Sequence, residues 1–187
     1  MKPLVFLLLF LLVGFNSNPT IRTKVKIQPE SEVVIRGKSN VNKFECRYNG
    51  KFLQEEVAIV ATKSNPKLIL QGAKLGISSK GFDCSHKMIT KDLKTTIKAE
   101  EYNHVFLEVK QINQQNQNMI ATVEVEIAGV KNTYDIPVTH QSKTNLVNGT
   151  LKFSIKDFKL ETPKKLLGFV VLNEMIEIEF NLQFQYI

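Results

Sequence analysis

The chain has 187 residues, a formal net charge of +7, 43% hydrophobic and 23% charged residues, no tryptophan and six prolines. That composition excludes an intrinsically disordered chain, a collagen-like repeat and a membrane protein of many spans. The length suits one domain, and a chain of this size buries roughly two-thirds of its unfolded surface, enough for a core without dense cross-linking.

Residues 1–18 read as an address. Lys2 precedes an apolar run over residues 4–15, broken by Gly14, and Asn16-Ser17-Asn18 follows. This is the layout of a secretory signal peptide, and the run falls short of the ~20 residues that span a bilayer. A retained anchor is the alternative reading. Removal of the segment leaves residues 19–187 as one folded domain, expected in the periplasm or secreted. No later stretch is long and apolar enough for a transmembrane helix. Export changes what the positive charge implies. The lysines are scattered, with no basic helix and no aromatic-interleaved pattern, so no nucleic-acid partner is expected. The charge serves solubility, with weak attraction to anionic lipid as a second role.

Val25 and Ile27 begin the first strand, and strands over 33–38 and 41–48 follow, separated by Ser39-Asn40. Cys46 and Cys84 are the two cysteines of the chain. In an oxidising compartment an isolated pair is expected to join. The loop of ~38 residues so closed contributes about 4 kcal/mol through chain entropy. A redox or metal-binding pair is the alternative, but the C-x-x-C spacing that favours it is absent. Runs over 55–62 and 68–78 come next, the second interrupted by Gly72 and Gly76, where glycine marks a bend or bulge. Residues 90–102 carry Leu93, Ile97 and Ala99 at helical spacing, which predicts one short helix capped by Thr90 or Asp92. A strand over 105–112 follows.

The polar run over 114–118 predicts a hairpin loop. Beyond it the period of two is regular. Met119, Ala121, Val123, Val125 and Ile127 alternate with mostly polar neighbours; a turn over 129–132 leads to Tyr134, Ile136 and Val138. Val147, Gly149, Leu151, Phe153 and Ile155 form another inward row, and Ile176, Ile178, Phe180, Leu182, Phe184 and Tyr186 the last. Eight or nine mostly antiparallel strands plus one helix define an all-β domain, either a closed barrel or a sandwich. A barrel of eight strands has room for one small apolar ligand. Periodicity does not choose between the two.

Four stretches carry a family resemblance: residues 37–46 (GKSNVNKFEC), the helix-to-strand passage through 88–106, the hairpin over 125–138, and Phe153-Ser154-Ile155-Lys156-Asp157-Phe158 before the amphipathic last strand. In order and spacing the chain resembles the YceI-like proteins, secreted lipocalin-like β-barrels of the bacterial envelope, some of which hold a polyisoprenoid-type lipid. The resemblance implies an antiparallel lipocalin-like barrel of about eight strands with one short helix. Asn103 departs from the family, where proline is common, and the Cys46/Cys84 pair looks like a feature of one branch. No pocket residue of the family transfers by identity.

Catalytic constellations are absent from the sequence. Gly37-Lys38-Ser39 ends like a phosphate-binding loop, but Glu32 stands where that loop needs glycine. His86, His104 and His140 have no metal-ligand spacing. Glu124 with Glu126, and Glu177 with Glu179, share a strand face opposite the apolar one and are expected on the outer surface. Pro137 suits an edge or a bulge. Asn148-Gly149-Thr150 is a glycosylation sequon that matters only in a eukaryotic source. The expectation is therefore a non-enzyme without cofactor or metal, binding a long apolar ligand, an isoprenoid lipid or a quinone-like molecule. The residues expected to line its cavity are Phe106, Val123, Val125, Phe153, Ile155, Ile178, Phe180 and Phe184. The alternatives are an interaction or stress-response accessory acting through its surface without a ligand, and an enzyme built on His104 or His86.

Overall fold

The computed structural model describes residues 19–53, 56–115, 118–162, 164–165 and 170–187. The expected signal peptide lies outside the described residues. The strands are β1 (Thr20–Ile27), β2 (Glu32–Lys38), β3 (Lys43–Tyr48), β4 (Glu56–Ser64), β5 (Lys67–Gln71), β6 (Lys74–Ser78) and β7 (Phe82–Asp83). Helix α1 (Lys87–Thr96) follows, then β8 (His104–Gln115), β9 (Asn118–Ile127), β10 (Val130–Gln141), β11 (Leu146–Ser154), β12 (Lys164–Lys165), β13 (Val170–Val171) and β14 (Met175–Tyr186).

Eight strands form a ring in the order β1-β4-β5-β8-β9-β10-β11-β14, every neighbour antiparallel, and β14 returns to β1 through Val25 opposite Tyr186 and Ile27 opposite Phe184. The sheet therefore closes as a barrel and is not a sandwich. Closure removes the unpaired edges that an open sheet of this size would expose. It also turns each period-two apolar row toward one shared interior.

Two of the staves are broken. β1 and β2 both run along β14, but residues 28–31 bulge out while only Leu182 and Gln183 intervene on the partner. The Ser31 hydroxyl accepts the Gln183 N–H at 3.0 Å and steadies the bulge. β5 and β6 share β8 in the same manner, so the run over 68–78 is split at Gly72, which has φ +77°. A Cβ there would press within 2.6 Å of the Ala58 carbonyl oxygen. Beyond the first break the sheet continues through β2 to β3 and β7, and the buried Cys46–Cys84 disulfide joins β3 to the segment leading into α1.

The two barrel ends differ. At the hairpin end lie the β4–β5 and β10–β11 connections, the start of β1 and the finish of β14. The helix end holds α1 and a 3-10 turn over Ile155–Phe158, in which Ile155 and Phe158 are buried. Phe158 is 1% exposed and meets Phe153 edge to face at 5.2 Å. Ser154 and Asp157 form a capping box at that turn, and Tyr134 donates its hydroxyl to Asp157 at 3.1 Å.

Three glycines sit directly opposite phenylalanines: Gly37 and Phe44, Gly76 and Phe106, Gly149 and Phe180. A Cβ on Gly37 or Gly149 would collide with its partner ring, and one on Gly76 would come within 3.3 Å. Each ring lies flat across the bare backbone, a device that restores packing where the side chain is missing.

Local expectations are corrected at three places. The helix spans Lys87–Thr96 instead of 90–102, with His86 as its cap residue. Asp83 accepts the Ser85 N–H at 2.9 Å and starts the turn into the helix, while the Thr90 hydroxyl accepts the Cys84 N–H at 3.0 Å from within the first turn. The turn expected over 129–132 is the two-residue Ala128-Gly129, both at positive φ, because Val130 already pairs with Ile127. Positive φ at both positions matches the twist of the flanking strands. The loop expected over 114–118 is shorter, since Gln114 pairs with Met119 and Gln115 with Asn118; residues 116–117 lie outside the described residues.

Candidate functional site: the barrel cavity

The ring encloses a cavity of about 1430 Å³. Its wall is built from the inward rows of the strands. From β9 come Ala121, Val123 and Val125; from β14, Ile178, Phe180 and Phe184; from β4, Val57, Ile59 and Ala61. Helix α1 contributes Ile89 and Leu93, the apolar face of an otherwise polar helix. The helix has no fully buried residue; Ile89 and Leu93 are partly buried against the core and line the cavity.

Of the expected lining residues, Val123, Val125, Phe153, Ile155, Ile178, Phe180 and Phe184 face the cavity. Phe106 does not. It stacks on His104 at 6.0 Å, carries the Lys74 ammonium 4.3 Å above its ring, and covers Gly76 on the outer wall. Its neighbours Val105 and Leu107 take the inward positions. Three consecutive apolar residues leave the parity of a strand open, and here the lysine contact and the bare glycine take Phe106 outward.

The cavity lining reaches both ends of the barrel, and the two ends differ in chemistry. At the helix end it is lined by Val41, which is 65% exposed, and Met88, 59% exposed, with Asp92 and His86 beside them. At the hairpin end the lining switches to Thr23, Lys63, Lys67, Gln114, His140 and Tyr186. The outer wall carries the ion pairs. Lys131 reaches Glu124 at 3.0 Å and Lys152 reaches Glu177 at 3.0 Å, while Arg36 joins Glu45 and Glu179. The Lys131 hydrogen bond holds the Glu124 carboxyl below its ordinary range, and the Glu179 hydrogen bond raises the Arg36 guanidinium further. These carboxylates are thus engaged outside the barrel, and none of them lines its interior cavity. Among the described residues no three His, Cys, Asp or Glu side chains gather as a metal site. His86 and His140 stand at opposite mouths, and His104 stands on the outer wall beside Phe106.

The YceI-like domain model matches residues 23–184, almost the whole described barrel. The chain belongs to the YceI-like family. BcnA of Burkholderia cenocepacia has a similar structure: TM-score 0.54 at 16% identity, over 83% of this chain and 96% of that one. The likeness is one of fold. The YceI protein of Campylobacter jejuni aligns at TM-score 0.42 and 18% identity, over 67% of this chain and 80% of that one. No curated protein sequence matches the chain. Among the described residues no helix is long and apolar enough to cross a membrane.

The polar residues of the hairpin mouth of this YceI-like chain lie outside the lining that its apolar rows predict. A readable pattern was present: Lys63 continues the inward row Val57, Ile59, Ala61, and His140 continues Ile136, Val138. Gln114 was hidden, because a bulge between Val109 and Gln111 shifts the parity of β8.

Proposed function

We propose that the chain is a non-catalytic binding protein of the cell envelope that holds one long apolar molecule inside its barrel. The observation that carries this reading is the apolar cavity of about 1430 Å³ running through the eight-stranded ring. At the ~30 Å³ that a water-sized group occupies in a liquid, such a volume takes on the order of 40 to 50 non-hydrogen atoms. That is the size of a long isoprenoid or of a quinone with a prenyl tail. Burial of its surface drives binding at about 25 cal/mol per Å², less the cost of association. Val123, Val125, Phe153, Ile155, Ile178, Phe180 and Phe184 would contact the ligand. The disulfide and residues 1–18 support an exported protein, with the leader removed, working in the periplasm or outside the cell. Mass spectrometry of organic extracts from natively purified protein is expected to find a stoichiometric lipid or quinone. Repeated absence of any such molecule, with a crystal structure whose interior is packed by side chains, would overturn the reading in favour of a protein acting through its surface.

A further inference from the structure

The hairpin mouth is a ring of hydrogen-bond donors. Lys63, Gln114, His140 and Tyr186 are the last inward residues of four strands, and each replaces the apolar type that precedes it in its row. Lys67, at the start of β5 beside the β4–β5 turn, also lines this mouth. The Gln114 N–H donates to the Pro66 carbonyl at 3.3 Å, which brings that strand end against the same turn. Among the described residues no Asp or Glu lines this mouth. In the sequence, residues 19–29, 57–82, 109–123, 136–156 and 180–187 contain no Asp or Glu, and the start of β1, the β4–β5 turn, the β10–β11 turn and the finish of β14 at this mouth fall within them. The opposite mouth has Asp92 in its lining. An inward lysine at a rim keeps its stem on the apolar wall and its ammonium at the water boundary, where a buried tail would place its head.

On the reading that the barrel holds an apolar chain, we infer that this ligand bears an anionic head group, a phosphate or carboxylate, seated at the hairpin mouth on Lys63 and Lys67, with its tail extending toward α1. Hydrogen bonds from ammonium to an anionic oxygen are stronger than those to a neutral hydroxyl.

The test is displacement of an apolar fluorescent naphthylamine probe from the full chain by dodecyl phosphate, dodecanoate, dodecanol and dodecylamine, each below its micelle concentration. At low salt the two anions are expected to displace the probe at about tenfold lower concentration than dodecanol, and dodecylamine least well. The gap should narrow at ~0.5 M salt. The double variant Lys63→Glu/Lys67→Glu is expected to abolish the advantage of the anions while dodecanol binds as before, which also shows that the variant is folded. Lys63→Gln/Lys67→Gln should fall between. Equal displacement by all four compounds, or anion selectivity that survives both variants, would overturn the head-group assignment and leave the cavity reading intact. A chain that takes up neither probe nor any dodecyl compound would refute the cavity reading itself. Binding to phosphatidylglycerol vesicles that the Glu variant abolishes, without discrimination among the dodecyl compounds, would overturn the assignment in favour of a membrane contact.

Discussion

Adding a ring inside the barrel separates a hollow interior from a filled one by the sign of the effect. Ala61 lies on the inward face of β4, between Ile21 on β1 and Leu70 on β5, and is only half-buried although it points into the barrel. Its accessible surface faces the lumen. In Ala61→Phe a phenyl ring adds on the order of 150 Å² of apolar surface, so complete burial would stabilise by about 4 kcal/mol. Against the wall of a wide lumen about half is covered, and fixing the side chain costs ~0.5–1 kcal/mol. The net expectation is a gain of about 1 kcal/mol, or a melting temperature raised by about 2–4 °C for a chain of this length. The same ring forced into a close-packed core would cost about 1–3 kcal/mol. Urea and thermal unfolding of the variant read the sign, and displacement of an apolar probe reads the second consequence. A ring in the lumen shortens the path open to a chain and should weaken long-tailed ligands about tenfold. Destabilisation beyond about 1 kcal/mol, with unfolding that stays cooperative, would refute the argument that the interior is open.

Three further outcomes are expected. Cys46→Ala/Cys84→Ala, which releases a loop of 38 residues, should cost about 4 kcal/mol and lower the melting temperature by roughly 8–16 °C. Wild-type protein in reductant should melt with the variant, and a shift under about 2 °C would contradict a structural bridge. Phe158→Ala, at the centre of the Tyr134, Phe153 and Phe158 ring cluster, should cost about 3–5 kcal/mol by urea denaturation, because a fully buried ring is lost and leaves a cavity behind. Burial, then its hydrogen bond to Asp157, raises the Tyr134 phenol well above its ordinary value. The fold therefore holds this proton more tightly than the unfolded chain does; the stability so derived is complete below pH ~10 and declines as pH rises above it. Tyr134→Phe should flatten that alkaline decline, measured by urea midpoints on either side of the unfolded value, and an unchanged slope would place the titration elsewhere.

The strands were legible because a closed sheet with one wet face enforces strict alternation, and β9 and β14 show it without interruption. Closure was not legible from periodicity, since a sandwich buries the same rows, and came from the family resemblance alone; the decisive contact joins Val25 and Tyr186. Breaks within staves were half visible. Gly72 announced one, whereas the bulge over residues 28–31 depends on a register set by β14. The helix began earlier than expected because Thr90 and Asp92 look like caps, while the turn that launches the helix is made upstream by Asp83. Phe106 was misplaced because Val105-Phe106-Leu107 fits either parity. The charged and amide residues of the hairpin mouth escaped notice for a different reason: a search for apolar lining stops where a row turns polar, and at a rim that is where a ligand's head would lie.

The glycine–phenylalanine pairs bear on calibre. Phe44 and Phe180 both belong to the cavity wall, and both recline over a residue that has no side chain. An aromatic that would otherwise stand across the bore is thereby folded back like wallpaper. The width available to a guest at those two heights is governed by a single hydrogen on Gly37 and on Gly149, so one methyl at either position would push a ring into the bore and narrow what the barrel can admit.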